Sequence, residues 1–287
     1  MADNKNPEKP VYSPDDNRIP WHSAFFEAIQ LELEEYSGSL EFISEYPLTT
    51  EPLRIDVVII KKSGDVPIEK NIAAIFRKVN ILEYKSPDDY VSVWDFYMVY
   101  GYACLYVTLN KMSITDLTLT FVESRYPRKL LRHLKEVRKY TVEEKQPGIY
   151  TVKGDILPMQ IIDSRKLSAE ENLWLKDLDN ELETGEIRRI TTEIERQGKA
   201  ARIRAYLDVI TKANKEKLQE ALEMRNTTLT VREIFRKAGI LDELIAESEE
   251  RKATEIAENM LRNGFSVEQT AQLSGLDTAK VRELAVS

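Results

Sequence analysis

The run Arg54–Lys61, RIDVVIIK, is the feature that most constrains the fold. Side chains alternate between the two faces of a strand, so four consecutive Val and Ile residues make both faces apolar. Such a strand must be covered on both sides. The run therefore predicts an α/β fold in which helices flank a mixed sheet.

The segments around this run predict the order helix, three strands, helix, strand. Apolar residues at helical spacing indicate a first helix over Pro20–Tyr36, which Gly38 is expected to end. Asp88 or Asp89 is expected to cap a second, Tyr-rich helix that extends to about Tyr106. Strands are expected at Leu40–Glu45, Leu53–Lys61, Val79–Lys85 and Leu117–Val122.

The rest of the chain is expected to be mostly helical. A basic helix over Arg128–Val137 precedes short strands near 148–152 and 159–162, and only helices are expected from Ser168 onward. Gly239 and Gly264 stand where helices should end. Capping-box spacing is present in three pairs: Ser168 with Glu171, Thr230 with Glu233, and Ser266 with Gln269.

These patterns divide the chain into four parts. Residues 1–18 are expected to form a flexible tail and residues 19–167 an α/β domain. Residues 168–250 are expected to form a helical arm, and residues 251–287 a small helical segment.

Composition limits the chemistry that the chain can perform. Its net charge of −8 disfavours non-specific coating of nucleic acid. Cys104 is the only cysteine, which excludes an intramolecular disulfide and a cysteine-ligated zinc site. With only two histidines, a bound metal would be held by oxygen ligands, which favours Mg²⁺, Mn²⁺ or Ca²⁺. Apolar runs are too short to cross a bilayer and the first residues do not resemble a targeting peptide, so a cytoplasmic protein is expected.

Acidic residues on two neighbouring strands and the first helix form the candidate site. Asp56 lies within the apolar strand, and Glu83 and Lys85 project from one face of the next strand. On the first helix, Glu32 falls in the centre of the apolar face, whereas Glu27 points away from it. Burying ionised carboxylates together is costly unless a cation compensates their charge. The expected ligands of Mg²⁺ are therefore Asp56, Glu83 and Glu32, with Lys85 beside them to orient a water or to neutralise a phosphate.

This pattern suits metal-assisted phosphodiester hydrolysis, but parts of it have a simpler interpretation. Glu83 and Lys85 could form an exposed ion pair while Asp56 accepts backbone N–H groups. A Glu-x-Lys tripeptide alone is common. The conjunction with a mid-strand acid and an inward-facing helix acid is much rarer, and it favours the catalytic interpretation.

Three stretches together resemble a known family: Pro52-Leu-Arg-Ile-Asp-Val, Asn80-Ile-Leu-Glu-Tyr-Lys-Ser-Pro-Asp-Asp and Gly101-Tyr-Ala. They are similar to the bacterial recombination-promoting nuclease, or transposase-like, family of the PD-(D/E)xK nuclease superfamily, over about Pro20 to Leu167. The resemblance implies a restriction-endonuclease-like core and a DNA endonuclease that uses Mg²⁺, with Mn²⁺ as a substitute. It also implies catalytic roles for Asp56, Glu83 and Lys85, with Glu32, or alternatively Glu27, as the helix acid. A link to recombination, transposition or phage defence would follow.

Two positions depart from the pattern of that superfamily. Ile55 replaces the proline that usually precedes the first acid. Met98 stands four residues before Tyr102, where related nucleases often have Gln, so Tyr102 is expected to pack in the core.

Two further segments are candidates for contact with DNA. Arg128, Lys129, Arg132 and Lys135 give the third helix a basic face, although a solvated face is the simpler interpretation. The spacing of Ala271, Gly275 and Val281 is that of a helix-turn-helix. Its second helix offers only two cations, so a bundle for packing or for homodimer formation is the alternative.

Three classes of function remain from the sequence. The first is the metal-dependent endonuclease. The second is a catalytically inactive protein of the same fold that binds DNA or acts as a scaffold. The third is a transcription regulator that acts through the C-terminal helices.

Overall fold

A computed structural model of the chain describes residues 19–47, 54–61, 67–197, 203–218 and 241–286. The predicted tail at 1–18, the predicted cap at Thr230 and Gly239 lie outside these residues. The chain forms two compact units: one spans Met1–Leu182 and Val209–Lys215, and the other spans Glu183–Asp208 and Glu216–Ser287.

A mixed, seven-stranded sheet forms the centre of the first unit in the described residues. Its order is β1-β2-β3-β4-β7-β6-β5. The β3–β4 and β4–β7 pairs are parallel and the other pairs are antiparallel. The strands are β1 (Leu40–Pro47), β2 (Arg54–Lys61), β3 (Val79–Tyr84), β4 (Leu117–Glu123), β5 (Thr141–Gln146), β6 (Ile149–Lys153) and β7 (Met159–Asp163).

Helices cover both faces of this sheet, as the apolar run predicts. Ile81 of β3 packs in one core cluster with Phe96 and Leu130, which lie on the helices α2 (Val93–Asn110) and α3 (Arg128–Glu136). Tyr84 projects from the opposite face of β3 and stacks on Phe25 of α1 (Trp21–Glu32), with ring centroids 4.4 Å apart. The predicted α/β class with flanking helices is confirmed, and Tyr102 packs in the core as expected.

The end of α1 corrects a prediction. The α-helix ends at Glu32 and a 3-10 helix, Glu34–Ser39, follows it, so Gly38 is not its terminator. Leu33 completes the buried stripe of α1, and none of the residues in the 3-10 helix is buried. Because no further apolar side chain faces the core, packing no longer holds the chain in α-helical turns.

The start of α2 corrects a second prediction. Its cap is Ser92 rather than Asp88 or Asp89. Ser92 Oγ accepts a hydrogen bond from the N–H of Asp95 at 3.1 Å, and Asp95 Oδ2 accepts one from the N–H of Ser92 at 2.8 Å. This reciprocal capping box satisfies two backbone donors at once, which a lone Asp cannot do.

Helices follow the sheet along the chain, in the order α4 (Ala169–Lys176), α5 (Thr184–Gln197) and α6 (Arg204–Ala213). The first unit extends beyond the predicted boundary at Leu167 because α4 packs on α1. The capping box predicted at Ser168 is wrong, since its hydroxyl donates to the side chain of Glu170 and accepts no backbone N–H.

The second unit ends in three consecutive helices: α7 (Leu241–Arg262), α8 (Val267–Ser274) and α9 (Thr278–Val286). The capping box of Ser266 with Gln269 is present, and Gly264 has a φ of 81° where α7 has ended. Gly275, with a φ of 76°, makes the turn between α8 and α9. No helix in the described parts of the chain is both long and apolar enough to cross a membrane.

Candidate active site

The antiparallel register of β2 and β3 brings two acidic side chains next to each other. Val57 pairs with Leu82, so the next position along the ladder sets Asp56 opposite Glu83. The N–H of Tyr84 donates a hydrogen bond of 2.9 Å to Asp56 Oδ2. The two carboxylates therefore share one face at the end of β3, as the sequence predicts for Asp56 and Glu83.

The two acids strongly perturb each other. Burial and then the charge of Asp56 raise the pKa of Glu83 to about 8, against the weaker opposing effect of Lys85. Burial also raises the pKa of Asp56, although His22, the N–H of Tyr84 and Lys85 oppose that rise. In the absence of a cation, two ionised carboxylates at this spacing are therefore unfavourable.

Lys85 lies among acids. Its Nζ lies 2.9 Å from Asp95 Oδ1, 3.5 Å from Glu83 Oε1 and 4.0 Å from Asp89 Oδ2. Burial lowers the pKa of Lys85, but the hydrogen bond to Asp95 and the charge of Glu83 outweigh it and the pKa is raised. The ammonium group is consequently held in its charged form beside the two acids.

His22 and Glu45 border the pair from α1 and β1. The Nε2 of His22 lies 3.6 Å from Asp56 Oδ2. Glu45 lies across from Asp56 in the β1–β2 pair, between the partners Ser44–Val57 and Tyr46–Ile55. Its φ of 48° is in the left-handed region, which is uncommon outside glycine and costs about 1–3 kcal/mol. A locally strained edge strand thus lies beside Asp56.

Among the described residues, Glu32 forms its contacts with groups other than Asp56 and Glu83. Its carboxylate is buried, as predicted, but Oε2 lies 2.6 Å from Lys70 Nζ, and Oε1 accepts the N–H of Leu175 on α4 at 3.0 Å. Burial raises the pKa of Glu32, although Lys70 opposes the rise. The structure therefore does not bring Glu32 together with Asp56 and Glu83, although the sequence predicts it. Instead, Glu32 anchors α4 and the segment before β3 to α1. Glu27, the alternative helix acid, is half-buried.

A second pair of buried acids lies farther along the same sheet. Glu123 on β4 is the register partner of Asp163 on β7, and both are buried. Glu123 Oε2 accepts the N–H of Val91 at 3.1 Å, while its Oε1 has no hydrogen-bond partner in the described structure. Burial, followed by the charges of Asp163, Asp89 and Asp95, raises the pKa of Glu123 to about 8.

The basic side chains predicted on the third helix are exposed. These side chains form no ion pair with any described residue; they are Arg128, Lys129, Arg132 and Lys135. In the second unit, Lys280 of α9 forms an ion pair with Glu250 of α7. This leaves Arg282 as the exposed cation of the predicted recognition helix.

The sequence analysis does not include Asp95, Glu123 or His22 among the site residues, although the first two carry a readable signal. Ser92 and Asp95 have capping-box spacing, which would have placed Asp95 on the first turn of α2. Glu123 ends the apolar run of β4, at the same edge of the parallel strands as Glu83. His22 carries no such pattern.

Side chains that could bind a metal come together in small numbers in the described residues. No cluster of three or more His, Cys, Asp or Glu side chains in these ranges has the spacing to hold a metal ion. The arrangement at the end of β3 is therefore a carboxylate pair with an ammonium group and a nearby imidazole. Comparison of the chain with protein-family models, with curated proteins and with solved structures finds no match.

Proposed function

We propose that the first unit is a Mg²⁺-dependent DNA endonuclease that hydrolyses phosphodiester bonds. The observation that carries this proposal is the register of β2 and β3, which sets Asp56 opposite Glu83 with Lys85 Nζ 3.5 Å from Glu83. Two acids from adjacent strands and a lysine two residues after the second acid are the constellation that the family resemblance implies. The order α1, β1, β2, β3, α2, β4 is also the one expected of a restriction-endonuclease-like core.

The carboxylate pair fits a divalent cation with oxygen ligands. Asp56 and Glu83 are mostly buried, repel each other and have raised pKa values, so a cation between them would relieve the repulsion. Mg²⁺ needs only one or two protein carboxylates, because waters and phosphate oxygens complete its coordination. Bound there, Mg²⁺ or Mn²⁺ would supply Lewis-acid activation of water and phosphate.

The remaining groups of the site have roles that follow from their positions. Lys85 is held charged by Asp95 and can neutralise negative charge that develops on a phosphate. Asp95 is a positioning residue, since it fixes Lys85 and caps α2 at the same time. His22, at 3.6 Å from Asp56, can donate a hydrogen bond to that carboxylate or to a water.

The exposed cations of α3 supply a surface for the phosphate backbone. Arg128, Lys129, Arg132 and Lys135 extend over two turns of the helix and have no acidic partner among the described residues. Such contacts are independent of sequence and weaken with added salt. Because the chain as a whole is acidic, a local basic surface of this kind would be needed for it to hold DNA.

A plasmid-nicking assay tests the proposal. Wild-type protein with Mg²⁺ is expected to nick supercoiled plasmid, whereas Asp56→Ala and Lys85→Met are expected to reduce the rate at least about 100-fold, because each removes a group that stabilises the transition state. Glu41→Ala changes an exposed acid of β1 and serves as the matched control, with a rate close to wild type. Equal rates for wild type and Asp56→Ala would refute the catalytic proposal.

A binding or scaffold protein of the same fold is the second candidate. The observation that favours it is that Lys85 lies closer to Asp95 than to Glu83, as in an ion pair that only anchors α2. Calorimetric titration with Mn²⁺ separates the two candidates. Saturable binding that Glu83→Gln abolishes supports the endonuclease, and the absence of such binding supports the scaffold.

A further inference from the structure

The outward face of α2 carries no charged side chain. The helix has 18 residues, and Asp95, which caps it and holds Lys85, is its only charged one. Four large apolar side chains on this face are exposed: Trp94 by 80%, Met98 by 42%, Leu105 by 41% and Leu109 by 60%. A helix that is apolar all round is normally buried on all sides.

The neighbouring helix α3 shows that this face is unusual for the same unit. The exposed positions of α3 are occupied by Arg, Lys and Glu, whereas its Leu side chains are buried. Helix α2 buries Phe96, Val99, Tyr102, Ala103 and Tyr106 against the sheet and presents a second apolar surface to solvent. A contiguous exposed apolar patch of this kind marks an interaction site.

The spacing along the face specifies a helical partner. Residues 94, 98, 101, 105 and 109 follow one another at intervals of four, three, four and four positions, which sets them along one stripe of the helix, as in a helix–helix seam. Gly101 occupies the middle of the seam, and a side chain added there would meet no atom within 4 Å. A glycine at this point lets a second helix approach closely.

The seam is also symmetric about its centre. Trp94 and Leu109 are equally far from the midpoint between residues 101 and 102, and so are Met98 and Leu105. An antiparallel copy of the same helix would therefore set Trp94 against Leu109 of the partner and Met98 against Leu105 of the partner. A surface that matches itself under a two-fold rotation is the requirement for an isologous dimer.

We propose that α2 forms the interface of a homodimer, in which it packs antiparallel against α2 of a second copy around a two-fold axis beside Gly101. The absence of charge on the seam favours this occupant, because two copies of the same surface then meet without like charges facing each other. A nucleic acid would require cations on this face, and it has none.

Sedimentation equilibrium of the full-length protein tests the interface. Wild type is expected to sediment as a dimer of the 33.2 kDa chain. Leu105→Lys is expected to raise the dissociation constant at least about 100-fold, because it places a charge in the centre of the seam. Leu273→Lys changes a Leu on α8 that is 67% exposed and is expected to leave the dimer unchanged.

Exchange of charges tests the antiparallel pairing. Met98→Glu alone is expected to give monomers, as Leu105→Lys does. The double variant Met98→Glu/Leu105→Lys is expected to dimerise again, because each new carboxylate would face a new ammonium group of the partner. A parallel pair would instead set like charges against each other and stay monomeric.

Several outcomes would overturn the proposal. These are a monomeric wild type up to about 100 μM, a dimer that Leu105→Lys leaves intact, and a double variant that remains monomeric while folded. Circular dichroism of each variant shows whether it is folded. A dimer lost in Leu273→Lys but kept in Leu105→Lys would place the interface on the C-terminal helices instead.

Discussion

Glu83 and Glu123 are two buried acids whose pKa values are both raised to about 8. The folded protein therefore keeps their protons at neutral pH, whereas the unfolded chain releases them near the ordinary value of 4.5. Each pKa unit corresponds to about 1.4 kcal/mol. Their contribution to the free energy of unfolding is complete below pH 4.5 and is lost as the pH rises through about 8.

The substitution Glu123→Gln is expected to reduce this loss. The neutral amide keeps an acceptor for the N–H of Val91 and can donate to Asp163, yet it has no proton to release. Urea denaturation at pH 5 and at pH 9 measures the decline of the free energy of unfolding between these two values. This decline should be smaller in the variant than in wild type by about 2–4 kcal/mol. Glu136→Gln, at an exposed position of α3, should leave the decline unchanged. An undiminished decline in Glu123→Gln would show that Glu123 does not retain its proton when folded.

The side chains of the site differ in how far their positions are readable from the sequence. Asp56, Glu83 and Lys85 are close together because strand alternation and register follow from local pattern, and both are readable from the sequence. The inward position of Glu32 is readable for the same reason. Its partner Lys70 lies in a segment without regular pattern, so the helical wheel shows that the acid is buried but not what compensates it.

Apolar strands of the sheet are predictable from the sequence, whereas charged strands are not. Runs of Val, Ile and Leu located β2, β3 and β4. Strand β5, TVEEKQ, was missed because it lies at an edge and is mostly exposed, so no buried face imposes a pattern on it. Its position is determined instead by pairing with β6 across a tight turn at Gly148.

Gly148 is expected to be essential to that turn. Its φ is 80°, and a Cβ there would lie 2.6 Å from the backbone oxygen of Asp163. Gly148→Ala should therefore lower the free energy of unfolding by about 2–3 kcal/mol in urea denaturation, since strain and a backbone clash act together. Gly185→Ala, on α5 with open space around it, should leave stability unchanged or raise it by up to about 1 kcal/mol. Equal effects at the two glycines would contradict the assigned role of the turn.

The chain leaves the first unit at Leu182 and contributes to it again through Val209–Lys215. Asn214 secures this return. Its Oδ1 accepts the N–H of Leu182 at 2.9 Å, and its Nδ2 donates to the oxygen of Asp179 at 2.8 Å. No local pattern predicts such a contact, because its partners are more than thirty residues apart.

The substitution Asn214→Ala is expected to destabilise the first unit by about 2–3 kcal/mol, because it leaves a buried N–H and a buried C=O without partners. Urea denaturation followed by tryptophan fluorescence measures this loss. Asn110→Ala removes an exposed amide on α2 and should change stability by at most about 0.5 kcal/mol. A loss no larger than that of the control would show that the returning segment is dispensable.

Both edges of the sheet have features that hinder the addition of a further strand. Strand β1 is interrupted at Glu45 by its left-handed backbone and ends at Pro47. Strand β5 has an irregular register between Glu144 and Gln146. Its exposed Glu143 forms ion pairs with Lys145 of the same strand and with Lys153 of β6. Irregular, charged edges of this kind prevent open-ended strand pairing between molecules. This sheet is therefore a poor template for the growth of a fibre from either of its edges.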